Sequence, residues 1–297
     1  MRTIDLESLK IFRTVVDEGG VVRAANKLNR VQSNVTTRIR QLEEHLGTRL
    51  FRREGRSIRL SAEGHTLLTY ADRLLRLADE TVNEMRTGKP KGAFRLGSIE
   101  STAGSRLAPI LSRYHSVYPD VVVELATGTT GALVTRVVKF ELEAAFVSEP
   151  FTAPSLQTRC VFEERLVLVT SKAIRKVSGP ADLGRSTLIA FAQGCSYRQR
   201  TEEWLGSANV MPERIMEFAS YQAMIACVAA GTGFAVVPKS VLETLRATKS
   251  VCQHALPKRF SHNRTYIVWH GDPSPSLRCL LSLLVTSACE ISDLRLT

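Results

Sequence analysis

The first residues equipped for chemistry are Gln32, Ser33, Asn34, Thr36, Thr37 and Arg40, set among spaced apolar residues in "RVQSNVTTRIRQLEEHLG", 30–47. Amides, hydroxyls and a guanidinium read the edges of base pairs: a Gln amide can bridge adenine N6 and N7, and threonine methyls can meet thymine methyls. Shortly after, Arg52, Arg53, Arg56 and Arg59 crowd the segment "LFRREGRSIRL". Arginines so concentrated suit phosphate neutralisation, which adds affinity without sequence information. Arg23, just upstream, joins this basic set.

A second chemical set lies in three short segments: Ser98, Glu100, Ser101 and Thr102 in "GSIESTA", Thr127, Thr129 and Thr130 in "TGTTG", and Cys195, Tyr197 and Arg198 in "GCSYRQR". Phe146, in "LEAAFV", is a further candidate. Each segment follows a strand-like run and opens a helix-like one, which exposes free backbone N–H groups at a carboxyl edge of a sheet, where open α/β folds bind ligands. Glu100 is the informative member, because an ionised carboxylate in a cleft is costly unless paired. Either a protein cation or a ligand pairs it. With Tyr197 and Arg198 on the opposing loop, the set suits a small ligand bearing an amine, with or without a carboxylate. Nothing near Cys195 in sequence depresses its pKa, so a packed thiol is expected.

Catalytic patterns are missing. "GCSYR" has Arg198 where the closing glycine of a nucleophile elbow belongs. The six histidines have no metal-ligand spacing and no Gly-rich phosphate loop occurs. No catalytic residue, metal or cofactor is therefore expected. A carrier protein would lack the basic first segment, and an enzyme fused to it would need a catalytic group that the sequence does not offer.

These groups need elements to hold them. Asp5 can cap a helix on which Leu9, Phe12 and Val16 form a stripe that stops at Gly19-Gly20, and a short helix carries Ala24, Ala25 and Leu28. In the next helix Val35, Ile39, Leu42 and Leu46 fall within about 60° of one another and face inward, leaving the polar set outward. The arginine-rich segment reads as a hairpin about Glu54-Gly55, a basic wing. From Ser61 the apolar residues Leu67, Ala71, Leu74, Ala78, Val82 and Met85 recur along one helix about 38 Å long, which calls for a partner helix from a second chain. "TGKPKG", 87–92, breaks that helix. Thereafter strand-like runs, among them "VVVELA", "RLVLVT" and "GFAVVP", alternate with helical patterns, which predicts α/β architecture with a mainly parallel sheet. "FVSEPFTAPSL" and "FSHNRTYIVWH" suit crossings between two lobes.

At 297 residues and 44% apolar content the chain can bury a large core. Its net charge of +11 favours a polyanionic partner, and the first 60 residues hold +6 of it. No apolar run is long enough to span a membrane and the amino terminus has no export-signal pattern, so a cytoplasmic protein with reduced cysteines is expected.

The string "GGVVRAANKLNRVQSNVTTRIRQLEEHLGTRLFRR", 19–53, resembles the winged helix-turn-helix signature of LysR-type transcriptional regulators. The Ala-Ala pair, the Gln opening the third helix, "QLEEHLG" and "LFRR" carry the match, and the similarity continues over the whole chain. It implies a winged helix-turn-helix domain at 1–60, a dimerising linker helix at 61–87 and a hinge at 88–92. An effector-binding domain at 93–297 would follow, built like the periplasmic binding proteins, with lobe I about 93–160 and 266–297 and lobe II about 161–265. It also implies a sequence-specific regulator of transcription with double-stranded DNA as partner, a small polar metabolite as effector, and self-association as dimer or tetramer. RNA polymerase is a further partner compatible with that role. Two positions depart from the family pattern: Val31 stands where Ser usually caps the helix, and Ser33 where Pro usually follows Gln. A lost cap typically costs about 1 kcal/mol, and the change either shifts the helix start or alters which bases Ser33 and Asn34 read. "GSIESTA", "GCSYR" and "SYQAMIACVAAGTGFAVVPKS" resemble the subgroup that contains the putrescine utilisation regulator.

Overall fold

A computed structural model describes residues 4–54, 57–87 and 89–293. The chain forms two compact units, 1–89 and 90–297.

In the first unit α1 (Leu6–Asp17) begins where the Asp5 carboxylate accepts from Ser8 N at 2.7 Å and Ser8 Oγ at 2.8 Å. Those two bonds hold the Asp5 carboxyl below its ordinary pKa. α2 (Val21–Lys27) buries Ala24 and Ala25, whose small side chains let it close on α1 and on α3 (Gln32–Leu46). Asn29, with φ of 53°, makes the left-handed turn between α2 and α3, a conformation Asn adopts more readily than most residues. α3 ends at Gly47 in the left-handed region. The wing pairs β1 (Phe51–Glu54) with β2 (Ser57–Leu60), Phe51 opposite Leu60 and Arg52 opposite Arg59.

α4 (Ala62–Thr87) grows directly out of the wing. A Cβ on Gly64 would stand 2.2 Å from Leu50 O, so only glycine lets α4 approach the wing this closely. Leu67 and Ala71 belong to the core of this unit with Leu9, Phe12, Val35 and Ile39. Beyond them Leu74, Leu77, Val82 and Met85 are exposed. The apolar stripe therefore divides between the unit's own core and an uncovered face.

The second unit opens with β3 (Gly92–Ser98), α5 (Glu100–Thr102), a π turn at Ala103–Leu107 and α6 (Ala108–Val117), which continue one another without a break. β4 (Val121–Thr127), α7 (Thr130–Val138), β5 (Ala144–Ser148) and the long β6 (Gln157–Thr170) follow. Next come β7 (Leu188–Ala190), α8 (Ser196–Gly206), β8 (Ile215–Glu217), α9 (Tyr221–Ala229), β9 (Ala235–Pro238) and α10 (Lys239–Thr244). The chain returns through β10 (Cys252–Ala255), α11 (Lys258–Ser261), β11 (His262–Trp269) and α12 (Pro275–Asp293).

Two strands carry the chain between lobes. β6 pairs with β11 up to Arg165, and from Leu166 onward with β9 and β10. The sheet order is β10-β6-β11-β5-β3-β4, with β9 also on β6, while β7 and β8 pair separately. The expectation of a mainly parallel sheet is corrected: β3 is parallel to β4 and β5, and β7 to β8, but β11 runs antiparallel to β5 and β6, as do β9 and β10 to β6. The reason is that the lobes are joined by extended crossing strands instead of helical crossovers. One face of the first lobe's strands packs Phe94, Leu96, Phe146 and Ile267 against Tyr114 of α6 and Leu277 and Leu280 of α12. The other face, with Leu133, Ala145 and Val147, joins an apolar core that runs into the second lobe through Leu166, Trp204 and Val237.

Candidate functional site

On α3, Val35 and Ile39 are buried while Gln32, Ser33, Asn34, Thr36, Thr37 and Arg40 are all exposed. The helix thus presents one polar strip. Thr36 Oγ1 donates to Gln32 O at 2.9 Å, which holds its hydroxyl on the helix. Val31 is the N-cap and supplies no side-chain bond, and its carbonyl accepts from Asn34 N at 3.1 Å; a helix amino end of this kind suits an anion such as phosphate. Arg23 is exposed on α2, and its Nη2 lies 2.7 Å from where a Cβ on Gly19 would stand. Arg52 is exposed on the wing. Arg56 lies outside the described residues, as does the side chain of Arg53.

A residue that sequence reasoning passed over sets the wing on this helix. Glu43, 7% exposed, accepts from Leu50 N at 2.8 Å through Oε1 and from Arg49 Nη1 at 2.8 Å through Oε2. It ties the carboxyl end of α3 to the strand that carries Arg52. Its signal was its place one residue past Leu42, an inward position for an acid.

In the second unit, Glu100, Ser101, Thr127, Thr129, Thr130, Cys195 and Tyr197 line one cavity of about 180 Å³ between the lobes. Around it converge the amino ends of four helices: that beginning at Glu100, α7 with Thr129 as N-cap, α8 with Cys195 as N-cap, and α9 with Ser220 as N-cap. Such ends carry partial positive charge and unpaired N–H groups. A hydroxyl chain closes the floor. Thr130 Oγ1 is 2.8 Å from Ser196 Oγ, Ser196 Oγ donates to Ser148 O at 2.9 Å, and Ser148 N donates to Thr130 Oγ1 at 3.2 Å. Ser101 Oγ stands 3.3 Å from Tyr197 OH.

Burial raises the Glu100 carboxyl above its ordinary pKa, an effect the Tyr221 backbone N–H partly offsets by donating to it. Among the described residues it makes no ion pair. Burial also raises the Tyr197 and Tyr221 phenols, so both are neutral hydrogen-bonding groups. It raises the Cys195 thiol too, against weaker lowering by the Arg198 and Tyr197 backbone N–H groups. Cys195 is therefore no activated thiolate.

Four candidates do not line the cavity. Ser98 is fully buried with Oγ donating to Ile99 O at 2.9 Å, and Thr102 is buried one residue past the rim. Phe146 packs in the sheet core with Phe162, two residues before the cavity floor at Ser148. Arg198, expected opposite Glu100, pairs instead with Glu202 at 2.8 Å and with Glu217 at 2.5 Å, since each carboxylate lies within reach on its own lobe. Ser148, Ser196, Phe191, Phe218 and Tyr221 line the cavity without having been singled out. Only the fold brings them there.

Residues 6–65 match the family described as bacterial regulatory helix-turn-helix protein, lysR family, and residues 87–288 match the LysR substrate binding domain. The chain belongs to the LysR family. Relatives extend over nearly its whole length. The HTH-type transcriptional regulator GltR of Bacillus subtilis (strain 168) is 34% identical over 282 residues, covering 94% of this chain and 95% of that one. The HTH-type transcriptional regulator CzcR of Bacillus thuringiensis subsp. konkukian (strain 97-27) is 37% identical over 270 residues, covering 91% and 92%. Among solved structures, ArgP from Mycobacterium tuberculosis superposes with a TM-score of 0.75 at 18% identity, covering 96% of this chain and 98% of that one. Full-length CbnR complexed with its target DNA does so with a TM-score of 0.67 at 22% identity, covering 96% and 100%. As a LysR-type protein the chain is a DNA-binding transcriptional regulator with an effector-binding domain, and the family is one of regulators, not enzymes. Among the described residues no helix is long and apolar enough to cross a membrane.

Proposed function

We propose that this LysR-type regulator answers to a small polar metabolite bearing an amine, either a simple amine or an amino-acid-like compound, held between the lobes. The observation that carries this reading is the Glu100 carboxylate, which faces the cavity without a protein cation while helix amino ends surround it. An ammonium group would pair with Glu100, and a carboxylate would meet the N–H groups of α7 and α8. The resemblance to the putrescine-regulator subgroup agrees with an amine. A ligand of this kind shifts the protein only if it binds two lobe arrangements with different affinity.

On the DNA side, Gln32, Ser33, Asn34, Thr36, Thr37 and Arg40 act as base readers, and Arg23, Arg52, Arg53 and Arg56 as phosphate contacts. The uncovered stripe of α4 supports self-association as a dimer or tetramer, which would space two winged domains over two half-sites. A cytoplasmic setting and contact with RNA polymerase accord with this role.

Titration calorimetry of the full chain with amino acids, diamines, neutral sugars and simple carboxylates tests the effector. Saturable heat from an amine-bearing compound, lost in Glu100→Gln, is expected. Heat from neutral or purely anionic compounds alone would overturn the assignment.

A further inference from the structure

A second cleft, of about 930 Å³, lies beside the crossing strands and is separate from the effector cavity. Arg106 of the first lobe and Lys239 and Ser240 of the second border it, so an occupant would touch both lobes where they are joined. Most of its acids are already matched. Glu164 pairs with Arg106 at 2.9 Å and accepts from Ser240 Oγ at 2.8 Å. Glu149 pairs with Arg200 at 3.2 Å and Arg264 at 3.3 Å, and Glu243 with Lys239 at 3.6 Å. Glu163 stands opposite Arg264 in the β6–β11 register.

What remains is positive. Arg165, Lys258 and Arg259 line the cleft and make no ion pair among the described residues, and the Arg259 guanidinium lies over the Phe260 ring instead. His262, directly opposite Arg165, adds an imidazole to the same wall. Behind this wall Asn263 is 2% exposed, and its Oδ1 is buried without a hydrogen-bond partner among the described residues. Its Nδ2 donates to Ser148 Oγ at 2.7 Å, on the wall of the effector cavity. Asn263 alternates with His262 along β11, so its amide lies on the face that carries Ser148 and away from these cations.

We propose that this cleft is a second ligand site, for a small metabolite carrying carboxylate or phosphate groups. The oxyanions meet Arg165, Lys258 and Arg259. A concave site at the junction of the two lobes suits a small molecule better than an acidic protein surface.

Calorimetry of the full chain with citrate and with inorganic phosphate, ionic strength matched by sodium chloride, tests this. Saturable binding of either anion is expected, weakened about tenfold or more in Lys258→Gln/Arg259→Gln and in Arg165→Gln. Stronger heat from citrate marks a polycarboxylate ligand, and stronger heat from phosphate a phosphorylated one. All substituted residues are exposed, and circular dichroism melts matching the parent chain establish that each variant folds. No saturable heat from either anion overturns the inference. Binding that survives all the cleft variants does so as well, because it then belongs to the DNA-binding face or the effector cavity.

Discussion

Thr130 Oγ1, at the head of α7 in the first lobe, stands 2.8 Å from Ser196 Oγ, at the head of α8 in the second. Both side chains are buried, and the same Thr130 oxygen accepts from Ser148 N. Valine at 130 keeps the shape but leaves that N–H unpaired, which costs about 1–3 kcal/mol. Urea unfolding of Thr130→Val, followed by a probe in the effector domain, should show a loss of that size. Unaltered stability would mean that water replaces the hydroxyl.

Glu100 sets a pH dependence with a definite sign. Its pKa is raised in the folded chain, so the fold is favoured when the carboxyl is protonated. That contribution is complete below the unfolded pKa and is lost as pH rises through the folded one. Glu100→Gln should therefore raise the melting temperature of the ligand-free protein at neutral pH and leave it unchanged in acid. Ligand affinity should run the other way in the parent chain, growing as pH rises and the carboxylate forms. A pH-independent difference in melting temperature would assign the effect to packing.

Base reading and phosphate contact separate by salt. Arg52→Ala should weaken binding to every duplex and lower the salt slope by about one unit, while Gln32→Ala should change the preferred sequence. Quantitative gel-shift titrations over a salt series, on specific and scrambled duplexes, measure both. Equal losses on both duplexes for both variants would refute the division of roles.

Glu43 joins the reading helix to the wing. Glu43→Ala strands the Leu50 N–H and releases Arg49, and a loss of about 1–3 kcal/mol is expected from the buried donor. Weaker DNA binding should accompany it even on scrambled duplex, since the wing loses its register on α3. Thermal melts and gel shifts on the full chain check the pair of effects.

Leu77 is 57% exposed on α4, and Met85 is 82% exposed further along the helix. A charge placed in a helix pair at such a position opposes association. Leu77→Glu should shift sedimentation velocity toward the monomer while the effector domain keeps its melting transition. An unchanged sedimentation coefficient would assign self-association to another surface.

Much of this was legible in local chemistry. Val35 and Ile39 recur at helical spacing, so their inward direction fixed the outward direction of Gln32, Thr36 and Arg40 without any tertiary knowledge. "VVVELA", "RLVLVT" and "GFAVVP" fall in β4, β6 and β9 because apolar, β-branched runs favour the extended chain, at the sheet edge in β4 and in the buried sheet in β9 and the second half of β6. Membership of the LysR family was legible for the same reason: its motifs lie in contiguous segments.

Tertiary structure alone decided what depends on distance between remote segments. Parallel or antiparallel pairing is set by how β6 and β11 cross between the lobes, which no strand's own composition encodes. Arg198 was expected on the loop opposite Glu100 as a ligand contact, yet Glu217, nineteen positions along the chain, holds it on its own lobe. Ser148 and Ser196 join the cavity floor only because β5 ends where α8 begins. A sequence specifies each side chain's chemistry and local direction, whereas the identity of its partner is a property of the packed whole, in which short-range hydrogen bonds and ion pairs form only between groups the fold brings within a few ångströms.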